Sequence, residues 1–161
     1  MGAIEVNQPM IDGVCVTPLK QFTDERGMVM HILSDMQLSA VREVYASLVK
    51  GTTIKAWRRH HKMVQHYAVP IGKIKFVLFD NRPNSSTHNR VQEIVTGIDC
   101  YGLIQIPPMI WYGFENLFDG NSLIVNGASL PHDPNEVDRL DKNTQEIPYR
   151  WDDHLKDIPQ A

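Results

Sequence analysis

Four side chains of different chemistry, Arg58, His60, Gln65 and Tyr112, could act together if the fold brings them to one site. An imidazole exchanges a proton near neutral pH, and a phenol with a reference pKa of about 10 is a weak acid. A guanidinium is permanently charged and forms bidentate hydrogen bonds with a carboxylate or phosphate. A divalent metal prefers several imidazoles and carboxylates, and the set contains one imidazole. These residues therefore favour an anionic ligand and predict neither a bound metal nor a cofactor.

The elements that position these residues are predicted to be β-strands. Stretches rich in Val, Ile, Phe and Tyr recur about every ten residues and are separated by Gly, Pro, Asn and Asp, a rhythm typical of an all-β sandwich or barrel. The segment Lys73–Val77 alternates polar with apolar residues, which predicts one face in a core and the other in solvent. The predicted strands are Val14–Pro18, Gly27–Leu33, Glu43–Val49, Thr53–Arg59, Gln65–Val69, Lys73–Asp80, Glu93–Val95, Leu103–Ile106, Trp111–Glu115 and Ser122–Asn126.

The remaining segments predict a loop, a short helix and two terminal arms. The polar residues of Arg82–Arg90 indicate an exposed connector. Asp133–Leu140 predicts a short helix, because Asp133 is a suitable cap and Pro134 suits the first helical position. We expect a single domain over residues 1–161, with an N-terminal arm at 1–12, the β-domain at 13–140 and a surface tail at 141–161.

Composition excludes several classes of partner. The net charge of −3 leaves no basic surplus for nucleic acid. The apolar runs are a few residues long, far below the roughly 20 that a membrane helix needs. The sequence contains two cysteines, Cys15 and Cys100, and its first residues do not resemble a secretory signal. We therefore expect a cytoplasmic protein that binds neither nucleic acid nor membrane.

Two stretches of the chain resemble the motifs of the cupins, whose fold is a jelly roll, or double-stranded β-helix. Gly51, Arg58-Arg59-His60, Gln65 and Gly72 follow the spacing of the first cupin motif. The stretch Ile106–Asn116 resembles the second motif, with Tyr112 at the position of its histidine. The resemblance implies that Arg58, His60, Gln65 and Tyr112 face one cavity.

Within the cupins, residues 13–140 resemble the dTDP-4-dehydrorhamnose 3,5-epimerase family. Residues 22–27, Phe-Thr-Asp-Glu-Arg-Gly, are similar to an N-terminal element whose aromatic residue and arginine contact the nucleotide, which implies that role for Phe22 and Arg26. Residues 55–58, Lys-Ala-Trp-Arg, align with the family's Arg-Gly-Leu-His, so that Lys55 replaces a phosphate-binding arginine. Trp57 is a further candidate for ligand contact, with core packing as its alternative.

The family's catalytic residues are replaced in this sequence. Its base, its enolate-stabilising lysine and its tyrosine acid align with Arg58, Gln65 and approximately Val125. An arginine, whose pKa exceeds about 12, cannot accept a proton, and valine cannot donate one. The resemblance therefore implies that the standard double epimerisation is lost.

Three functions remain open at this point. The protein is an altered epimerase or isomerase of 4-keto-6-deoxy sugars, with His60 as base, Tyr112 as acid and Arg58 or Gln65 holding the enolate. Alternatively, it is a non-catalytic cupin that binds a nucleotide sugar or a similar anion. In the third reading it is a structural protein whose cavity is filled by side chains. The resemblance also implies a homodimer in which exchanged N-terminal strands complete the partner's cavity.

Overall fold

The computed structural model describes residues 4–6 and 9–151, and these residues are predominantly β-strand. The strands are β1 (Glu5–Val6), β2 (Cys15–Pro18), β3 (Gln21–Asp24), β4 (Gly27–Met30), β5 (Glu43–Val49), β6 (Ile54–His60), β7 (Gln65–Ile71), β8 (Lys73–Asp80), β9 (Arg90–Gly97), β10 (Gly102–Ile106), β11 (Trp111–Asn116), β12 (Ser122–Ala128) and β13 (Val137–Arg139). Helix α1 (Asp35–Ala40) precedes β5, and a 3-10 turn, Pro134–Glu136, precedes β13. Among these residues, no helix has both the length and the apolar character needed to cross a membrane.

The strands form two facing antiparallel sheets and a separate hairpin. The six-stranded sheet has the order β1-β9-β8-β11-β6-β13, and the five-stranded sheet has the order β2-β10-β7-β12-β5. Within the described part of the chain, strands β3 and β4 pair only with each other. The crossing connections between the sheets are those of a jelly roll. The predicted all-β class is confirmed.

All ten predicted strands occur, and three further strands were missed. Strands β1, β3 and β13 are only two to four residues long, too short to produce a readable alternation. The predicted helix over Asp133–Leu140 is one 3-10 turn, in which Asp133 accepts a hydrogen bond from the Asn135 amide at 2.9 Å as a cap. The chain then extends as β13, because the edge of β6 offers unpaired backbone groups.

The main core lies between the two sheets. Strand β8 contributes Ile74, Phe76 and Leu78 to it, and all three are fully buried. The same core contains Ile11, Val14, Val49, Tyr67, Val69, Ile94, Ile104, Ile106, Ile110, Tyr112, Phe114 and Ile124.

The outer face of β8 is buried as well, so the expectation that it faces solvent is wrong. Val77 and Phe79 pack in a second cluster with Ile147 and Trp151 of the C-terminal segment. Lys75, on the same face, is paired with Glu115 at 2.7 Å, as a buried charge requires. A strand pattern alone could not show that a later segment covers this face. The part of the predicted tail beyond Trp151 lies outside the described residues.

The connector after β8 is also more ordered than its polar sequence suggested. Asp80 is fully buried and accepts hydrogen bonds from Arg82 Nε at 2.9 Å and from Ser85 Oγ and Thr87 Oγ1, each at 2.6 Å. Burial raises the pKa of Asp80, but these hydrogen bonds outweigh that effect and lower the pKa well below its ordinary value. One buried carboxylate therefore organises a loop that the sequence presented as an exposed connector.

Candidate active site

A cavity of about 380 Å³ lies between the two sheets at the position of the predicted site. Five of the predicted site residues line it, namely Lys55, Arg58, His60, Gln65 and Tyr112. The other lining residues are Tyr45, Ala46, Ser47, Met63, Tyr67, Phe114, Ile124, Asn126, His132, Asp133, Val137 and Arg139. The structure thus brings Arg58, His60, Gln65 and Tyr112 together at one cavity.

A local irregularity in β6 lets Lys55 and Arg58 face the same cavity. Tyr112 pairs with Arg58 and Phe114 pairs with Lys55, so three residues of β6 span two of β11. Such a bulge adds one residue and resets the alternation of side chains. Beyond it, the ordinary period of two places His60 on the same side as Arg58.

His60 is the centre of a continuous chain of hydrogen bonds. Its Nδ1 lies 2.7 Å from Glu136 Oε2, and its Nε2 lies 3.1 Å from the Tyr112 hydroxyl. The Tyr112 hydroxyl lies 3.0 Å from that of Tyr67. The chain therefore connects a carboxylate, an imidazole and two phenols across the floor of the cavity.

The contacts of Glu136 assign the proton on His60. Glu136 Oε1 accepts hydrogen bonds from the backbone amides of Lys62 and Met63. Burial raises the pKa of Glu136, but these bonds and His60 outweigh it, so the net pKa is lowered and the group is ionised. A carboxylate only accepts hydrogen bonds, so His60 Nδ1 carries the hydrogen and Nε2 presents its lone pair to Tyr112.

The ionisation states suit a base beside a protonated phenol. Burial lowers the pKa of His60, and the opposing effect of Glu136 is smaller. Burial also raises the pKa of Tyr112, although Tyr67 and Arg58 act in the other direction. At neutral pH the imidazole is therefore uncharged and the hydroxyl keeps its proton.

Gln65 presents a hydrogen-bond donor with no partner among the described residues. The residue is 2% exposed, and its Oε1 accepts from Asn126 Nδ2 at 2.5 Å. Its Nε2 makes no hydrogen bond to the described part of the chain. Because a buried unpaired donor is unfavourable, this amide is suited to an oxygen atom of a ligand.

Three cationic side chains surround the same cavity. Lys55, Arg58 and Arg139 are exposed, and no carboxylate among the described residues forms an ion pair with them. Arg58 and Arg139 are directly opposite each other on β6 and β13. The described residues contain no group of three or more His, Cys, Asp or Glu side chains placed to hold a metal. Asp133 is the one carboxylate residue among the described residues that line the cavity, so the cations outnumber it and the cavity is electrostatically complementary to an anion.

Comparison with known proteins identifies the family. No family model matches the chain. A dTDP sugar isomerase from Desulfovibrio desulfuricans is 38% identical, with a TM-score of 0.84, over 88% of this chain and 92% of that one. A dTDP-4-dehydrorhamnose 3,5-epimerase from Bacillus anthracis, solved with TDP bound, has a TM-score of 0.78 at 16% identity, over 92% of this chain and 90% of that one. A probable low-salt glycan biosynthesis epimerase of Haloferax volcanii is 27% identical over 88% of this chain and 90% of its own length.

The chain belongs to the dTDP-4-dehydrorhamnose 3,5-epimerase family. The predicted family and its jelly-roll fold are thereby confirmed.

Not every predicted site residue of this family member lies at the cavity. Trp57 is 1% exposed and packs against Trp151, with ring centroids 5.1 Å apart, on the outer side of the six-stranded sheet. The bulge in β6 turns it away from the ligand, so the alternative of core packing describes it and the predicted ligand contact is not supported. Phe22 and Arg26 lie on the β3–β4 hairpin and do not line the cavity of their own chain.

Sequence reasoning missed Glu136, Tyr67 and Arg139. Glu136 is 76 positions from His60 and lay within a predicted helix. Tyr67 occupies an ordinary strand position, where an aromatic residue indicates packing. Arg139 depends on the pairing of β13 with β6, which no local pattern announces. A capping Asp133 followed by Pro134 marked the start of the turn, and this was the one available signal for the position of Glu136.

Proposed function

We propose that the protein is an epimerase-like isomerase that removes a proton from a carbon beside the keto group of a nucleotide-linked 4-keto-6-deoxy sugar. His60 Nε2 is the base, and Glu136 holds its ring and tautomer. Tyr112 is the acid. The enolate oxygen that forms accepts a hydrogen bond from Gln65 Nε2 and lies in the field of Arg58.

The observation that carries the proposal is the Glu136–His60–Tyr112 chain inside a cationic cavity. The family's base position holds Arg58, but His60 lies two residues further along and faces the same side. A buried carboxylate behind the imidazole is the arrangement that orients a general base in many enzymes. In this proposal the base is His60, two residues after the family's base position, and it faces the same cavity.

The ligand class follows from the charges and from the family. Lys55, Arg58 and Arg139 are suited to a diphosphate, which carries several anionic oxygens that accept bidentate hydrogen bonds. The related epimerase of Bacillus anthracis was solved with TDP bound. We extend the proposal to a cytoplasmic location, since Cys15 and Cys100 are both free thiols.

The test is hydrogen exchange from solvent at a carbon of the sugar. The protein is incubated with dTDP-4-keto-6-deoxyglucose in deuterated water, and NMR follows deuterium at the carbons next to the keto group. We expect incorporation by the native protein, and a loss of about 10²-fold or more in rate for His60→Gln. His61→Gln is the matched control, because His61 contacts Asp138 at 2.9 Å and does not line the cavity. Equal rates for the two variants would refute the assignment of the base.

The presence of Arg58 at the family's base position favours a second candidate, a non-catalytic protein that binds a nucleotide sugar. Its cavity would hold the anion with the same cations while no proton is removed. Binding of dTDP with no deuterium incorporation at any carbon would establish this candidate and exclude the isomerase.

We further propose a homodimer in which the β3–β4 hairpin of one subunit completes the cavity of the other. Phe22 is 54% exposed, and the Arg26 side chain is 83% exposed; among the described residues its hydrogen-bond partner is Asp24 on the same hairpin. A large aromatic side chain and an arginine on one exposed hairpin are suited to a nucleotide. The family resemblance assigns them that role, and neither residue lines the cavity of its own chain.

Subunit complementation tests this arrangement. One chain carries Phe22→Ser with Arg26→Ser and the other carries His60→Gln, and each homodimer is expected to be inactive. Mixed dimers contain one site with an intact cavity and an intact hairpin, so co-refolding the two variants is expected to restore up to about a quarter of the native rate. No recovery, or a monomer by analytical ultracentrifugation, would contradict the exchange.

A further inference from the structure

The groups that can move a proton are distributed unequally between the two walls of the cavity. His60 and Tyr112 belong to β6 and β11 of the six-stranded sheet, and their polar atoms are 3.1 Å apart. Glu136 adjoins them from the turn before β13. A base and an acid are therefore neighbours on one side of any ligand that lies between the sheets.

The five-stranded sheet provides the opposite wall, and its side chains have different chemistry. Ala46 and Ile124 are apolar, while Gln65 and Asn126 are amides that neither gain nor lose a proton near neutral pH. The wall also contains the hydroxyls of Ser47, Tyr45 and Tyr67. His132 and Asp133 line the cavity from the segment after β12; both are exposed, and the His132 backbone amide donates to Glu43 Oε2, which places them at the solvent-exposed rim.

The two phenols of this wall are both engaged. The Tyr67 hydroxyl is bonded to that of Tyr112, so it belongs to the same chain as His60. The Tyr45 hydroxyl donates to Glu43 Oε2 at 2.9 Å. If Tyr45 released its proton to a ligand, its phenolate would lie beside that carboxylate, and both burial and Glu43 raise its pKa. Tyr45 is consequently a poor proton donor to the ligand.

Inverting a carbon requires that a proton leave one face of the sugar and another arrive on the opposite face. With the base and the acid on one wall, the proton returns to the face from which it came. Return to the same carbon changes nothing. Return to the neighbouring carbon, the former carbonyl carbon, moves the keto group by one position.

We propose that the reaction is a ketoisomerisation, in which the keto group of a nucleotide-linked sugar exchanges places with the hydroxyl of the adjacent carbon. This inference rests on the proposed function, and it names the reaction of the same site. The substrate class is an α-hydroxy keto sugar carried by a nucleoside diphosphate, and the configuration at the carbons not involved is unchanged.

The step balances with the residues of the cavity alone. His60 Nε2 takes the proton from the hydroxyl-bearing carbon, that electron pair forms a C=C bond, and the carbonyl oxygen takes the proton of Tyr112. The Tyr112 phenolate, which Tyr67 and Arg58 favour, then takes the proton of the other hydroxyl as the new C=O forms. The electron pair of the C=C bond then takes the proton from His60, and the new C–H bond forms at the former carbonyl carbon. One hydrogen has moved between carbons and one between oxygens, with no oxidant or reductant.

Gln65 has a defined part in this scheme. Its Nε2 is the donor end of an amide whose oxygen is fixed by Asn126 at 2.5 Å. Partial negative charge develops first on one sugar oxygen and then on its neighbour as protons are transferred, so a neutral donor can stabilise both oxygens without favouring one of them. A cationic lysine at this place would hold the charge more strongly on one oxygen.

The experiment is carbon NMR of the product formed from dTDP-4-keto-6-deoxyglucose, with deuterium at the hydroxyl-bearing carbon next to the keto group. We expect the carbonyl signal to move to that carbon, with part of the deuterium recovered at the former carbonyl carbon. A product whose keto group stays in place and whose neighbouring carbon is inverted would overturn the ketoisomerisation and keep the proposed function. No change at any carbon, despite binding, would overturn both.

Tyr45→Phe distinguishes the two walls. We expect this variant to give the same product, with the same position of the keto group. If the native protein forms an inverted product and Tyr45→Phe loses it by about 10²-fold or more, Tyr45 is the acid of the opposite wall and the inference is overturned.

Discussion

Each face of strand β6 carries an arginine, and the two arginines differ in whether they form an ion pair within the chain. On the cavity side Arg58 is exposed and has no carboxylate partner among the described residues. Its neighbour Arg59 lies 2.6 Å from Asp138 and places its guanidinium 4.6 Å from the centroid of Trp111. The outer face satisfies its charges within the chain, whereas the inner face leaves them available.

The carboxylates of the neighbouring segment repeat this contrast. Asp138 binds Arg59 and His61 on the outside, and Glu136 binds His60 on the inside. Both have lowered pKa values. A depressed pKa therefore does not by itself identify a functional group here, and the partner and the face of the strand must be considered together.

The largest expected effect is that of breaking the inner carboxylate–imidazole pair. Glu136→Gln removes the acceptor that fixes the tautomer of His60, so we expect kcat/KM for deuterium incorporation to fall about 10²–10³-fold. Asp138→Asn is the matched change on the outer face and is expected to alter the rate less than about threefold. Comparable losses in the two variants would show that the inner pair has no special role.

Replacing each arginine by glutamine in turn tests whether the inner or the outer face of β6 binds the ligand. Arg58→Gln is expected to weaken dTDP binding about 10–100-fold, because charge-assisted hydrogen bonds contribute about 1.5–3 kcal/mol each. Arg59→Gln is expected to leave the affinity unchanged within about twofold, since its charge is neutralised by Asp138. Titration calorimetry measures both, and the reverse ranking would assign the ligand to the outer face.

A smaller effect concerns the pH profile of the inner face. Burial lowers the pKa of His60, so kcat/KM should stay constant through neutral pH and fall only as the pH drops below the ordinary histidine value of about 6.5. Glu136 opposes that shift, so Glu136→Gln should move the acidic limb to still lower pH while reducing the plateau. A limb that moves upward would contradict the pairing.

The smallest expected effect is on the stability of the outer face. The Arg59–Asp138 pair is partly exposed, so Asp138→Asn should reduce the free energy of unfolding by less than about 1 kcal/mol in urea. Because the folded pKa of Asp138 is lowered, first by Arg59 and then by His61, the native pair contributes above the ordinary pKa of aspartate and is lost as the pH falls through the folded value. The difference between native and variant proteins should therefore vanish in acid.

The strands were predictable because their residues alternate and their turns contain Gly, Pro, Asn and Asp. Gly72, with a positive φ of 82° between β7 and β8, is one such turn, and a Cβ there would lie 2.0 Å from Ser122 Oγ. Strand β13 was not predictable, because three residues acquire their conformation from the free edge of β6 and not from their own propensities.

The residues that line the cavity followed from motif spacing, which the jelly roll preserves even when side chains change. Arg58, His60, Gln65 and Tyr112 meet there as expected. Motif spacing could not predict the hydrogen-bond partners of His60 and Tyr112. The carboxylate behind His60 and the second phenol beside Tyr112 come from segments whose approach depends on the pairing of distant strands.

Glu136 enters the site at the very margin of the six-stranded sheet, just before its terminal strand. A chain cut before Pro134 would still contain every other strand of both sheets, yet its imidazole would have no carboxylate. The segment after Pro134 therefore has two roles at once: Ile147 and Trp151 complete the outer cluster, and Glu136 supplies the carboxylate of His60. Truncation before Pro134 is expected to lower both the stability of the outer face and the proposed activity.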